Sequence, residues 1–173
     1  MEFNEKTIKT EYLYKGKIID LKIEDVVLPD GKIAKREIVS HPGGSSVICE
    51  KDDKILLVKQ FRAPYKEVLL EIPAGKLNRG EDPKDTAIRE LEEEGGIKAK
   101  DVKLLYKFYP SPGYTDEIIY VYYTDDFIET KQNLDEDEFL SSEWYDKQTI
   151  KKMIDSGEIK DGKTIIALLS VLK

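Results

Sequence analysis

Residues 75–97 read GKLNRGEDPKDTAIRELEEEGGI, and no other stretch limits so sharply what this chain can be. Glu90, Glu92, Glu93 and Glu94 crowd into about one helical turn, and Glu90, Glu93 and Glu94, at i, i+3 and i+4, share one helix face. Like charges at that spacing repel by a few tenths of a kcal/mol per pair. They also stand at the helix end, where the dipole disfavours anions. A solvated face would interleave lysines, yet Arg89 is the only base between Asp85 and Ile97. A bound cation is the simplest compensation for such a face.

The helix that carries these carboxylates is clearly bounded. Asp82 suits the N-cap, Pro83 the first helical position, and Asp85 adds a carboxylate where the dipole favours one. Gly95 and Gly96 are expected to end it, because glycine reaches the left-handed conformation without a Cβ penalty. Ala87 and Leu91, with Ile88 beside them, form an apolar stripe for a core. Gly75, Asn78 and Gly80 make the preceding segment a loop.

Around this unit the pattern is α+β. Tyr12 to Leu28 alternates as two short strands broken near Gly16, and Pro29-Asp30-Gly31 turns the chain into a strand from Lys32 to Ser40. Ser45 to Glu50 and Ile55 to Phe61 form a second hairpin around Lys51-Asp52-Asp53-Lys54. Leu69 to Pro73 feeds the acidic helix. Val102 to Tyr109 and Glu117 to Thr124 flank a Pro/Gly loop, Leu140 to Tyr145 is a last strand, and Thr149 to Ser156 and Thr164 to Leu172 read as helices. A chain of 173 residues is long enough for a real core. Its net charge of -7 argues against nucleic acid as a partner. Cys49, in an apolar run, reads as a buried small hydrophobe. No apolar run approaches membrane length and the first residues lack an apolar signal core, so a cytoplasmic protein is expected.

At these residues the sequence resembles the Nudix hydrolases. Their box is Gly, five residues, Glu, seven residues, Arg-Glu-aliphatic, any, Glu-Glu, any, Gly-aliphatic. This chain matches it at Gly75, Glu81, Arg89, Glu90, Leu91, Glu93, Glu94, Gly96 and Ile97 with every spacing kept, which is far more specific than a lone glycine motif. The resemblance implies a Nudix α/β/α sandwich with a mixed sheet, spanning 43–173, preceded by an N-terminal β extension over 1–42. It also implies Mg²⁺, replaceable by Mn²⁺, held by Glu90 and Glu94 with Glu93 assisting and the Ala74 carbonyl completing a site, one that two metals could share. Arg89, at i−4 from Glu93, can orient it.

Within the family the chain resembles the ADP-ribose pyrophosphatases. Pro112 lies sixteen residues after Gly96 in the segment SPGYTDE, and KREIV with Arg36, VKQFR with Arg62, and EIPAG with Glu71 resemble the same subfamily. Taken singly, Arg36 and Arg62 are ordinary strand charges and Pro112 an ordinary turn proline. As a set they imply a substrate site of Arg36, Arg62, Glu71, Pro112, Gly113 and Glu117, and arginine suits phosphate through bidentate bonds. The resemblance places the general base on a late loop, here Asn133 to Glu138, with Glu138 preferred and Glu136 second. Otherwise this acidic run is a solvated loop.

The implied reaction is Mg²⁺-dependent hydrolysis of ADP-ribose, or of other ADP-sugars, to AMP and ribose 5-phosphate. The alternatives are another nucleoside diphosphate derivative or a nucleoside triphosphate as substrate, and a non-catalytic ADP-ribose-binding regulator. The resemblance further implies a homodimer that exchanges N-terminal strands, with no membrane or nucleic-acid partner.

Overall fold

The computed structural model describes residues 3–136 and 138–172. The chain divides into two compact units, Met1–Gly43 with Tyr109–Ile118, and Gly44–Phe108 with Ile119–Lys173. By contacts the segment Tyr109–Ile118, which follows residue 42 in the chain, groups with the N-terminal strands.

In the first unit, β1 (Lys6–Lys15), β2 (Asp20–Val27) and β3 (Ile33–Ser40) form an antiparallel sheet in the order β1-β2-β3. The strand expected from Tyr12 begins at Lys6 instead. Its register against β2 slips at Thr7/Lys9 and again at Tyr12/Tyr14. Every residue of β1 is exposed, including Ile8, Tyr12, Leu13 and Tyr14. The 109–118 segment is fastened to the end of β3. The Val39 N–H donates to the Tyr114 carbonyl and the Asp116 N–H to the Val39 carbonyl. The Asp116 carboxylate accepts from the Ser40 hydroxyl and the His41 N–H.

The second unit holds β4 (Gly44–Lys51), β5 (Lys54–Arg62), β6 (Glu67–Glu71), β7 (Ala74–Lys76), α1 (Pro83–Gly95), β8 (Ile97–Ala99), β9 (Lys103–Phe108), β10 (Ile119–Thr124), β11 (Phe127–Glu129), β12 (Leu140–Asp146), α2 (Lys147–Asp155) and α3 (Gly162–Val171). Its main sheet runs β12-β5-β4-β10-β9, with β6 on β5 and β7 on β4. Among the described residues of this sheet β4 and β10 alone pair in parallel, so the sheet is mixed. The β4–β5 hairpin turns on Asp52 and Asp53, both at positive φ, as a tight two-residue hairpin requires.

Alternation along the central strands divides the core between two sheet faces. Val47 and Cys49 of β4 and Leu56 of β5 pack with Ala87 and Leu91 of α1. Ile48, Ile55 and Leu57 point the other way, into a cluster with Ile150 of α2 and Ala167 and Leu168 of α3. Helices on both faces make this unit an α/β/α sandwich. Full burial of a side chain such as Leu91 contributes about 1.5–3 kcal/mol, so α1 is held by its apolar stripe while its opposite side stays free for carboxylates. No described helix is long and apolar enough to cross a membrane.

Candidate active site

The acidic helix begins where its sequence dictates. The Asp82 carboxylate accepts from the Lys84 N–H with Pro83 at the first position, a cap worth about 1 kcal/mol. Gly95 is still helical, and Gly96 alone takes the left-handed conformation at φ 64°. A Cβ there would lie 2.9 Å from the Gln132 nitrogen. The helix end is closed from outside by the segment after β11. The Thr130 N–H donates to the Gly96 carbonyl, the Asn133 N–H to the Glu93 carbonyl, and the Gln132 side chain to the Glu94 carbonyl at 2.6 Å. These donors satisfy carbonyls that the helix itself cannot.

The carboxylates occupy two environments. Arg89 gathers one set: its Nε donates to Glu81 at 3.0 Å, and its Nη1 to Glu90 at 2.7 Å and Glu93 at 2.8 Å. Glu81 also accepts from the Asn78 N–H, and the Arg89 hydrogen bond draws its carboxyl down to about 2. Glu94 lies deeper, 2 % exposed, and accepts from the Ala74 N–H at 2.9 Å. Burial pushes its carboxyl up to about 8, with the charges of Glu90 and Glu138 adding to the rise. Glu90 is also raised, first by burial, and the Glu93 and Glu138 charges act the same way. Glu136 is exposed on the same loop, and Asp137 lies outside the described residues.

These residues fit a divalent cation. Glu90 is pressed against the loop before α1 so closely that a Cβ on Gly75 would fall 1.8 Å from its Oε1. A side chain at position 75 would therefore require the Glu90 carboxylate to move away from its place beside the loop. Arg89 supplies one positive charge against Glu81, Glu90 and Glu93, and Glu94 adds a fourth acidic group beside them, which leaves a deficit that a hard cation with oxygen ligands would meet. Among the described residues no three acidic, histidine or cysteine side chains converge as a complete cage, so a cation here would need further ligands, such as water or substrate phosphate oxygens.

The expected substrate residues fall in both units. Arg62, at the end of β5, donates from Nε and Nη2 to both oxygens of Glu71 at 2.6 and 2.7 Å. Glu71 is 2 % exposed and is also bound by Lys163 of α3, a partner that no sequence signal announced. Both oxygens of Glu71 are therefore engaged within the protein. In the first unit Arg36 lies on β3 and donates from Nε to Glu5 at 2.9 Å. Glu117 lies 3.3 Å from His41 Nδ1, and Pro112 and Gly113 belong to the segment tied to β3. Cys49 is fully buried and its thiol is pushed up to about 12 by desolvation, which makes it inert as a nucleophile. A concavity of about 480 Å³ lined by Glu50, Asp52, Tyr123 and Asp125 includes none of these groups.

Comparison with known proteins agrees with this geometry. The chain matches the NUDIX domain over residues 39–167 and the nucleoside diphosphate sugar hydrolase N-terminal domain over residues 5–39. It is 48% identical over 167 residues to a Bacillus subtilis protein named ADP-ribose pyrophosphatase, covering 95% of this chain and 90% of that one. It is 45% identical over 170 residues to the methanol dehydrogenase activator of Bacillus methanolicus, covering 96% and 91%. A crystal structure of an ADP compounds hydrolase superposes with a TM-score of 0.86 over 99% of this chain and 94% of that one; at 18% identity this likeness speaks for the fold alone. A domain match over most of the chain, on a sandwich whose acidic helix carries the complete box, means that this protein belongs to the Nudix family.

Proposed function

We propose that this protein hydrolyses the pyrophosphate bond of ADP-ribose, yielding AMP and ribose 5-phosphate, with Mg²⁺ as cofactor and Mn²⁺ as a substitute. The observation that carries this reading is the pair of buried carboxylates, Glu90 and Glu94, packed against the Ala74-Gly75 loop with the charge of Glu138 beside them. The identity to a protein named ADP-ribose pyrophosphatase supports the substrate, and the match to the nucleoside diphosphate sugar hydrolase N-terminal domain supports the substrate class.

Glu90 and Glu94 are the principal cation ligands, with Glu93 and the Ala74 carbonyl completing the set. These residues would hold a cation, which would supply charge neutralisation at the phosphates. Arg89 fixes Glu90 and Glu93 and keeps the cluster from repelling itself apart. Glu138 accepts the proton of the attacking water, and its loop position suits a base that closes over bound substrate. Arg62 binds phosphate; Arg36, Pro112, Gly113 and Glu117 contact the nucleotide or the ribose. Two copies form a dimer through the N-terminal sheet, whose exposed Ile8, Tyr12, Leu13 and Tyr14 need a partner surface, and Arg36 serves the neighbouring site. A cytoplasmic setting suits a chain whose one cysteine is free and buried. The relative named methanol dehydrogenase activator favours a second reading, in which the same site regulates a partner; the full carboxylate set speaks for turnover.

The metal test is direct. EDTA should abolish hydrolysis and excess Mg²⁺ restore it. Glu94→Gln should keep the fold yet lose more than the roughly 10–100-fold that removal of a mere outer-shell group costs. Full turnover by Glu94→Gln would remove the assignment.

A further inference from the structure

The N-terminus of α3 is joined to the candidate site by an alternating chain of charges. Arg62, ending β5, grips buried Glu71, ending β6, through both carboxylate oxygens. Glu71 is gripped in turn by Lys163, and Lys163 also donates to Asp161, the N-cap of α3, at 2.9 Å. The Asp161 carboxylate is itself fixed by the Thr164 N–H and hydroxyl, and the Ile72 N–H donates to that same hydroxyl at 3.0 Å. The strand end that delivers Glu71 and the lysine that holds it are thus secured by one helical turn. Burial alone would raise the Glu71 carboxyl, yet Arg62 and Lys163 outweigh it and hold it below its ordinary value, so it is an ionised anchor.

This arrangement changes what Glu71 and Arg62 can do. With both oxygens engaged and 2 % exposure, Glu71 has nothing to offer a substrate. Arg62 spends its Nε–Nη2 edge on Glu71, while its Nη1 makes no hydrogen bond among the described residues. The guanidinium side chain remains 35% exposed, and its charge is felt by Glu94. The free edge is therefore the part able to fork onto a phosphate. Its direction is set by a carboxylate that two cations share, and Lys163, only 14% exposed, divides its ammonium between that carboxylate and the Asp161 cap.

We propose that Lys163 is a positioning residue for substrate binding: by clamping Glu71 from the α3 side it aims the free edge of Arg62 at a phosphate of a nucleoside diphosphate substrate. This rests on the reading of the site given above, deepens it, and moves Glu71 from substrate contact to support.

A double-mutant cycle on the full-length protein tests it, after wild-type turnover of ADP-ribose has been measured by itself. Lys163→Met should raise KM for ADP-ribose by roughly tenfold to a hundredfold, the scale of a small misplacement of a binding group, with kcat nearly unchanged. Lys163→Arg should recover most of the KM. Arg62→Lys should raise KM similarly, and Lys163→Met placed on Arg62→Lys should add little, because both act through one contact. If Lys163→Met does not fold, Lys163→Gln keeps a hydrogen bond to Glu71 without the charge and should give an intermediate KM. A substrate-free readout separates this idea from the substrate assignment: the Arg62 Nε–H resonance should exchange slowly in wild type and in Lys163→Arg, and rapidly in Lys163→Met. A lower melting temperature with KM and Nε–H exchange unchanged, or fully additive KM effects in the double variant, would overturn the proposal. Failure of the wild type on ADP-ribose, with the Nε–H pattern as described, would overturn the substrate instead.

Discussion

Arg89 shows how one residue makes an otherwise unfavourable helix face tenable. Its guanidinium reaches Glu81, Glu90 and Glu93 at once, so the carboxylates are fixed in direction before any ligand arrives. Glu94 is left outside that network, and burial drives its carboxyl up to about 8. Glu94 would have to give up its proton to hold a cation, so cation-dependent activity should rise as pH climbs through that value. The base is separable from this set at the same scale. As the proposed base, Glu138 when changed to Gln should lower kcat by about a hundredfold or more, the scale of general-base loss, with cation affinity little changed. Glu136→Gln should retain most activity. Stopped-flow or steady-state rates on the two variants decide it, and the reverse ranking would place the base two residues earlier in the loop.

At the scale of elements, what could be read from the sequence depended on whether the cause was local. The acidic helix was legible because its stops are its own: Asp82 and Pro83 at one end, Gly96 at the other. The β4–β5 hairpin was legible because apolar runs flank a polar turn. The three-residue strands β7, β8 and β11 have too few residues to show a period and exist through pairing with distant partners. The early start of β1 was hidden by KTIKTEYLYK, whose residues are all exposed and so show no buried alternation. The seal on the end of α1 by Thr130, Gln132 and Asn133 joins segments about forty residues apart, and the Lys163–Glu71 contact spans 92. Neither leaves a signature in either segment alone. The box residues, by contrast, were all visible, since the box defines both their types and their spacing.

For the whole molecule, the grouping of Tyr109–Ile118 with the N-terminal strands ties Pro112, Gly113 and Glu117 to the same unit as Arg36. Four of the expected substrate residues therefore belong to the unit that bears the exposed strand β1. If that unit forms a two-fold dimer and Arg36 serves the neighbour's site, mixing Arg36→Ala with Glu94→Gln should restore activity. In each mixed dimer one site carries both defects and the other neither, so random exchange should recover up to about a quarter of wild-type activity. A monomer by sedimentation, or no rescue after verified exchange, would contradict the shared site. The central claim is that a Nudix sandwich with this acidic helix and these arginines cleaves a nucleoside diphosphate sugar. It is tested most directly by kcat/KM with Mg²⁺ across ADP-ribose, other ADP-sugars, GDP-mannose and nucleoside triphosphates, with the products identified. ADP-ribose should rank first and yield AMP and ribose 5-phosphate; a higher kcat/KM for a nucleoside triphosphate, or no turnover of any of these compounds, would contradict the account.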